Sequence, residues 1–167
     1  MASPYRTGSN ALRKGRASRA HGVYLVTWAT QGRQPFFSAF RTARMAAASL
    51  VGSVALGDAR LLAWVLMPDH VHVLLQLGER DPLWRVVSRV KARLTLAIRC
   101  DLGGRKRIWQ AGYHDRALRT ERQVLGAARY IVGNPVRAGL ASSCRMNPYW
   151  DAAWREDPQA GEELSPS

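Results

Sequence analysis

The chain has 167 residues, 47% hydrophobic and 22% charged, which is ordinary globular usage for about one domain and excludes a wholly disordered chain. Lys and Arg number 25 against 12 acids, a formal charge of +13, so a polyanionic partner is expected, either nucleic acid or an anionic membrane surface. Two cysteines, Cys100 and Cys144, are too few for a disulfide framework or a cysteine-rich zinc site, and no apolar run nears the ~20 residues of a membrane span, so a soluble cytoplasmic protein is expected.

Residues 1–20 mix small residues with five bases, Arg6, Arg13, Lys14, Arg16 and Arg19, and have no hydrophobic period, as in a flexible basic arm. Residues 23–30 are β-branched and aromatic and predict a strand, broken at Gly32 to Pro35. Residues 38–56 carry Phe40, Ala43, Ala47, Leu50 and Val54 at helical spacing. Residues 61–67 and 71–77 predict two strands joined by the Pro68-Asp69 corner, hence a hairpin. Asp81-Pro82 opens a helix whose buried face is Leu83, Val86, Val87, Val90, Leu94 and Ile98. A Gly-rich basic turn follows, then a short strand over 114–118 and a helix over 121–132 that Asn134-Pro135 closes. Residues 151–167 hold five acids and one base, a net −4 that leaves +17 on residues 1–150. The division is therefore an arm (1–20), a folded domain (21–150) and an acidic, disordered tail (151–167). The order strand, helix, strand, strand, helix, strand, helix predicts an α+β, ferredoxin-like fold: an antiparallel sheet with helices packed on one face. Its other face is free to carry a site.

Three local signals carry chemistry. In Met67-Pro-Asp-His-Val-His72 the two histidines stand two apart on a strand, so they project together and can chelate one divalent ion; paired imidazoles on a solvated strand face are the plainer reading. In Tyr130-Ile-Val-Gly-Asn134-Pro135 the tyrosine and asparagine lie four apart, on one helix face; a core-edge aromatic and a helix terminator are the alternative. Residues 85–107 hold eight bases, Arg85, Arg89, Lys91, Arg93, Arg99, Arg105, Lys106 and Arg107, against the single acid Asp101. So few acids favour phosphate contact over a solvated helix face. Trp84, Trp109, Tyr113 and His114 are interleaved and could stack on unpaired bases, with core packing the alternative for the two tryptophans.

Together with Trp109-Gln-Ala-Gly-Tyr-His-Asp115-Arg-Ala-Leu-Arg119 and the continuation Val136-Arg-Ala-Gly-Leu140, these motifs resemble the REP-associated tyrosine transposases. Those are HUH (His-hydrophobic-His) single-strand endonucleases related to insertion-sequence transposases. The resemblance runs from about Tyr24 to Tyr149 and departs at Asp69, where many relatives carry Asn. It implies an enzyme that cleaves and rejoins single-stranded or hairpin, REP-like DNA through a 5′-phosphotyrosine intermediate. Tyr130 would be the nucleophile, and His70, His72 and Asn134 would hold Mg²⁺ or Mn²⁺. Arg85, Arg89, Lys91, Arg93, Arg105, Lys106, Arg107, Trp109 and Arg119 would contact DNA, with Asp69 and Asp115 as accessory groups; Asp115 could equally pair with Arg116 or Arg119. A nucleoid-associated monomer, rather than a homodimer, is expected. A non-catalytic single-stranded nucleic-acid-binding module is the competing reading, and a metal-dependent phosphohydrolase using water is a third.

Overall fold

Alternating apolar residues in the strand segments give the chain two buried sheet faces, and the computed structural model shows what covers each. It describes residues 18–51, 53–104, 106–144 and 149–152. Along them run β1 (Val23–Ala29), α1 (Phe40–Val51), β2 (Arg60–Met67), β3 (His70–Gln76), α2 (Leu83–Leu102), β4 (His114–Leu118), α3 (Glu121–Val132), α4 (Asn134–Arg137) and β5 (Trp150–Ala152). The strands form one antiparallel sheet in the order β4-β1-β3-β2-β5, so β3 is central and hydrogen-bonded on both sides. The expected α+β class with an antiparallel sheet is the observed one.

The faces follow from strand alternation. Tyr24, Val26, Trp28, Trp64, Leu66, Val71, Val73 and Leu75 point to one side, where α1 (Ala43, Ala46, Leu50) and α2 (Leu83, Val86, Val87, Val90, Leu94, Ile98) cover them. Ala63, Val65, Met67 and Leu74 point to the other, beneath Ala127, Ala128 and Ile131 of α3. The one-face arrangement of helices therefore holds for α1 and α2 but not for α3, which lies on the face of His70 and His72. A helical period says which side of a helix is apolar; it does not say which side of the sheet receives it.

Local chemistry fixes the ends that matter. The β2–β3 hairpin turns on Pro68-Asp69, and Thr30 holds the corner, its amide and hydroxyl both donating to the Asp69 carbonyl at 2.9 and 3.0 Å. Pro82 caps α2 rather than opening its first turn, and the Leu83 amide donates to Ser18 Oγ at 3.0 Å. Thr120 caps α3 by accepting from the Gln123 amide, while Gln123 Oε1 accepts from the Arg119 amide at 2.7 Å, a near relative of the capping box. Pro135, with no N–H to offer the preceding turn, ends α3. β5 is an element the sequence pattern did not predict: it pairs with β2 and seats Trp150 against the α3 side of the sheet. Most of the basic arm and acidic tail, together with Arg105, lies outside the described residues. Among the described residues no helix is long and apolar enough to cross a membrane.

Candidate active site

β3 delivers both histidines to the α3 side. Their rings meet edge-on at 4.8 Å between centroids, with the two Nε2 atoms 3.1 Å apart. Each outer nitrogen has a partner. His70 Nδ1 donates to Asp69 Oδ1 at 2.6 Å, and His72 Nδ1 lies 2.7 Å from Thr27 Oγ1, directly across the β1–β3 register. Asp69 is held from outside by Arg33, at 3.2 Å. It is therefore the orienting group of one imidazole.

His72 is only 7% exposed. Burial, reinforced by the nearby His70, Arg137 and Arg33 charges, pushes its pKa down to about 3, so it is neutral at physiological pH. The hydrogen bond from Nε2 to Nε2 places one proton between those atoms. For both lone pairs to face an ion that proton must move to Nδ1 of His72, and Thr27 suits either tautomer because a hydroxyl both donates and accepts.

α3 brings Tyr130 to the same place. Its ring stands edge-on to His72, centroids 5.8 Å apart at 87°, and remains 38% exposed. Arg137, one α4 turn further, lies over the ring at 4.4 Å and donates to the Tyr130 carbonyl. Asn134 sits one helical turn beyond Tyr130, and its Nδ2 is buried without a hydrogen-bond partner. Reversing the amide places its oxygen there instead.

The donor set fits a small divalent ion. With their Nε2 atoms 3.1 Å apart, the imidazoles are close enough for one small divalent ion to take both as ligands. Among the described residues no three His, Cys, Asp or Glu side chains gather as a metal site. The imidazole pair would therefore need an amide oxygen, substrate or water to complete a coordination shell around such an ion.

Other residues singled out in the sequence go elsewhere. Asp115 pairs in register with Val26, on the α1–α2 face, so it cannot serve the imidazoles; His114, opposite Thr27, takes the site face instead. Trp109 is 7% exposed, packed on Trp28 and Phe37, with its indole N–H donating to Thr95 Oγ1 at 2.9 Å. It is core, not a stacking platform. The α2 bases stand across the sheet from His72, and several hold backbone. Arg89 donates to the Ala55 and Leu56 carbonyls and pairs with Asp81 at 2.7 Å. Lys91 donates to Gln110 and Gly112, Arg99 to Lys106, and Arg107 to Trp109. Arg93 and Lys106 are exposed. Arg85 covers the Trp84 ring, which is 57% exposed. Beside the outer edge of β4 runs a groove of about 1030 Å³, bordered by Arg19, Trp84, Tyr113, Arg116 and Arg119, with Asp115 and Glu121 as its acids. Arg33 and Arg137, the two arginines whose charges act on His72, went unassigned in the sequence; Arg137 stands in the quoted motif, but only the α3–α4 break turns it back onto Tyr130.

The sequence model of the family described as Transposase IS200 like matches residues 20–134. Over 91 residues the chain is 33% identical to the REP-associated tyrosine transposase of Escherichia coli, covering 52% of this chain and 50% of that one. The chain spans about half the length of the curated relatives it matches. Among solved structures it is similar to a REP-associated tyrosine transposase bound to a REP hairpin, with a TM-score of 0.66 and 23% identity over 99% of this chain and 89% of that one. That likeness establishes the fold.

Proposed function

The chain belongs to the IS200-like transposase family, and from that premise we propose that it cleaves and rejoins single-stranded or hairpin DNA through a covalent bond to Tyr130. The observation that carries this reading is the meeting of the Tyr130 ring with His72 at 5.8 Å, while the His72 Nε2 faces that of His70. A nucleophile from α3 and an ion-binding pair from β3 thus share one face.

His70, His72 and Asn134 would hold the ion, with Asp69 and Thr27 fixing the imidazoles. Such an ion, Mg²⁺ or Mn²⁺, would supply polarisation of the scissile phosphate and offset the charge of the transition state. Tyr130 Oη bonds to phosphorus as the P–O3′ bond breaks; the phenolic proton passes to solvent, and the departing 3′ oxygen takes one up. The product is a 5′-phosphotyrosine and a free 3′-hydroxyl. Keeping the phosphoester in the protein conserves the bond for rejoining, which attack by water does not. The strand must be unpaired at the cut, since a nucleotide stacked within a duplex does not reach a fixed side chain.

For the rest of the DNA, the α2 bases are poorly placed and the β4-edge groove is better. Arg119, Arg116 and Arg19 border it for phosphates, and the exposed Trp84 offers a stacking surface. A hairpin like that bound by the solved relative would lay its unpaired flank there.

The test is a denaturing gel of protein incubated with flanked hairpin DNA and Mn²⁺. A protein–DNA adduct that chelator prevents and Tyr130→Phe lacks is the expected result. Binding that survives chelator, with no adduct under any metal, would instead make the chain a binding module.

A further inference from the structure

Among the described residues nothing hydrogen-bonds the Tyr130 hydroxyl, so the direction of the ring rests on what touches its body. The ring stands perpendicular to that of His72, and the Arg137 guanidinium lies 4.4 Å from its centre. The same guanidinium donates to the Tyr130 carbonyl, one of the acceptors left over where Pro135 stops the helix. One flat cation thus grips both the side chain and the backbone of a single residue.

Gly133 explains how the side chain gets there. Its φ of −79° and ψ of −5° are helical values that any residue adopts, so backbone freedom is not why glycine stands here. A Cβ at this position would lie 3.0 Å from Arg137 Nη1 and 3.2 Å from the Arg129 carbonyl oxygen. The missing side chain is the lane through which Arg137 folds back over the tyrosine.

Resting on the DNA-cleavage reading, we propose that Arg137 is a positioning residue for Tyr130, aiming its hydroxyl across the imidazole pair, and that Gly133 exists to admit it. The role needs planarity as well as charge. A guanidinium lies flat on a ring while donating in its own plane, and a lysine ammonium does not do both. A misplacement of ~1 Å at a reacting group costs about a hundredfold in rate.

The experiment measures single-turnover adduct formation at saturating flanked hairpin DNA with Mn²⁺, together with DNA affinity in chelator. Arg137→Ala is expected to slow the adduct step about a hundredfold while affinity changes little, and Arg137→Lys to remain slow. Gly133→Ala removes a glycine from a helical conformation, a change that ordinarily stabilises a helix. Here the new methyl group meets both Arg137 Nη1 and the Arg129 carbonyl oxygen, so the variant is assayed well below its own melting temperature, where it should reproduce the slow step. The double variant should be no slower than Arg137→Ala, since both changes break one contact. A second readout needs no catalysis: NMR cross-peaks between the Tyr130 and His72 rings should weaken in Arg137→Ala and Gly133→Ala.

Full rate in Arg137→Lys would reduce the role to charge and overturn the proposal. So would a loss confined to DNA affinity, or ring cross-peaks that persist in both variants. If the wild-type protein itself forms no Tyr130-dependent adduct, the DNA-cleavage reading fails, and the ring cross-peaks alone decide whether Arg137 aims the tyrosine.

Discussion

The buried His72 should leave its mark on stability against pH. In the unfolded chain an imidazole protonates near pH 6.5, whereas His72 in the folded protein stays neutral down to about pH 3. Between those values the unfolded state binds a proton that the folded state refuses, so stability falls as pH falls. It is fully present above about 6.5, declines by ~1.4 kcal/mol per pH unit below, and levels off under about 3, a total on the order of 5 kcal/mol. His72→Gln removes the titrating group while keeping a polar side chain of similar reach. Urea unfolding in chelator at pH 4, 5, 6 and 7 should give a steeper rise of stability with pH for wild type than for His72→Gln. The difference should be about 1 kcal/mol or more per unit below pH 6. Comparing slopes rather than single values cancels the carboxylates common to both proteins. Parallel lines for the two proteins would refute the argument, because His72 would then protonate as readily folded as unfolded. Added Mn²⁺ should stabilise wild type but not His72→Gln, by the mass action of a ligand that binds only the folded state.

Asp69→Ala takes the acceptor from His70 Nδ1 and should weaken Mn²⁺ binding, followed by calorimetry, about 10- to 100-fold without unfolding the protein. Ile131 is fully buried where α3 meets the sheet, so Ile131→Ala should lower unfolding free energy by about 2–5 kcal/mol. Arg119→Ala should reduce the slope of log affinity for flanked hairpin DNA against log salt by about one, as expected for a lost phosphate contact. Lys91→Met, which breaks the donations to Gln110 and Gly112, should lower stability and leave that slope alone.

Which parts of this molecule could be read from its residues follows from how far each signal reaches. β4 and α3 were legible at their observed ends because Thr120, Asn134 and Pro135 are local stops. The two histidines were legible because alternation along one strand needs no partner. Features that depend on pairing were not. Asp115 and His114 are neighbours in one motif, and only the register with Val26 and Thr27 says which of them faces the imidazoles. β5 is three residues long and acquires strand geometry from β2. The basic run was read by composition, but a charge count cannot separate Arg89, spent on the Ala55 and Leu56 carbonyls, from a cation facing solvent. Trp109 looked like a platform within that run and proved to be core, because Trp28 and Phe37 approach it from distant parts of the chain.

The central place of β3 makes the two halves of the site unequal partners. The imidazoles stand on a strand laced to β1 and β2 along its length, so they form an anvil that gives way only with the sheet as a whole. The tyrosine rides near the end of a helix, its exposed ring braced by Arg137 while Ile131 beside it is buried against the sheet. On the proposed reading, substitutions near residue 133 or 137 would therefore retune the stroke without dulling the anvil.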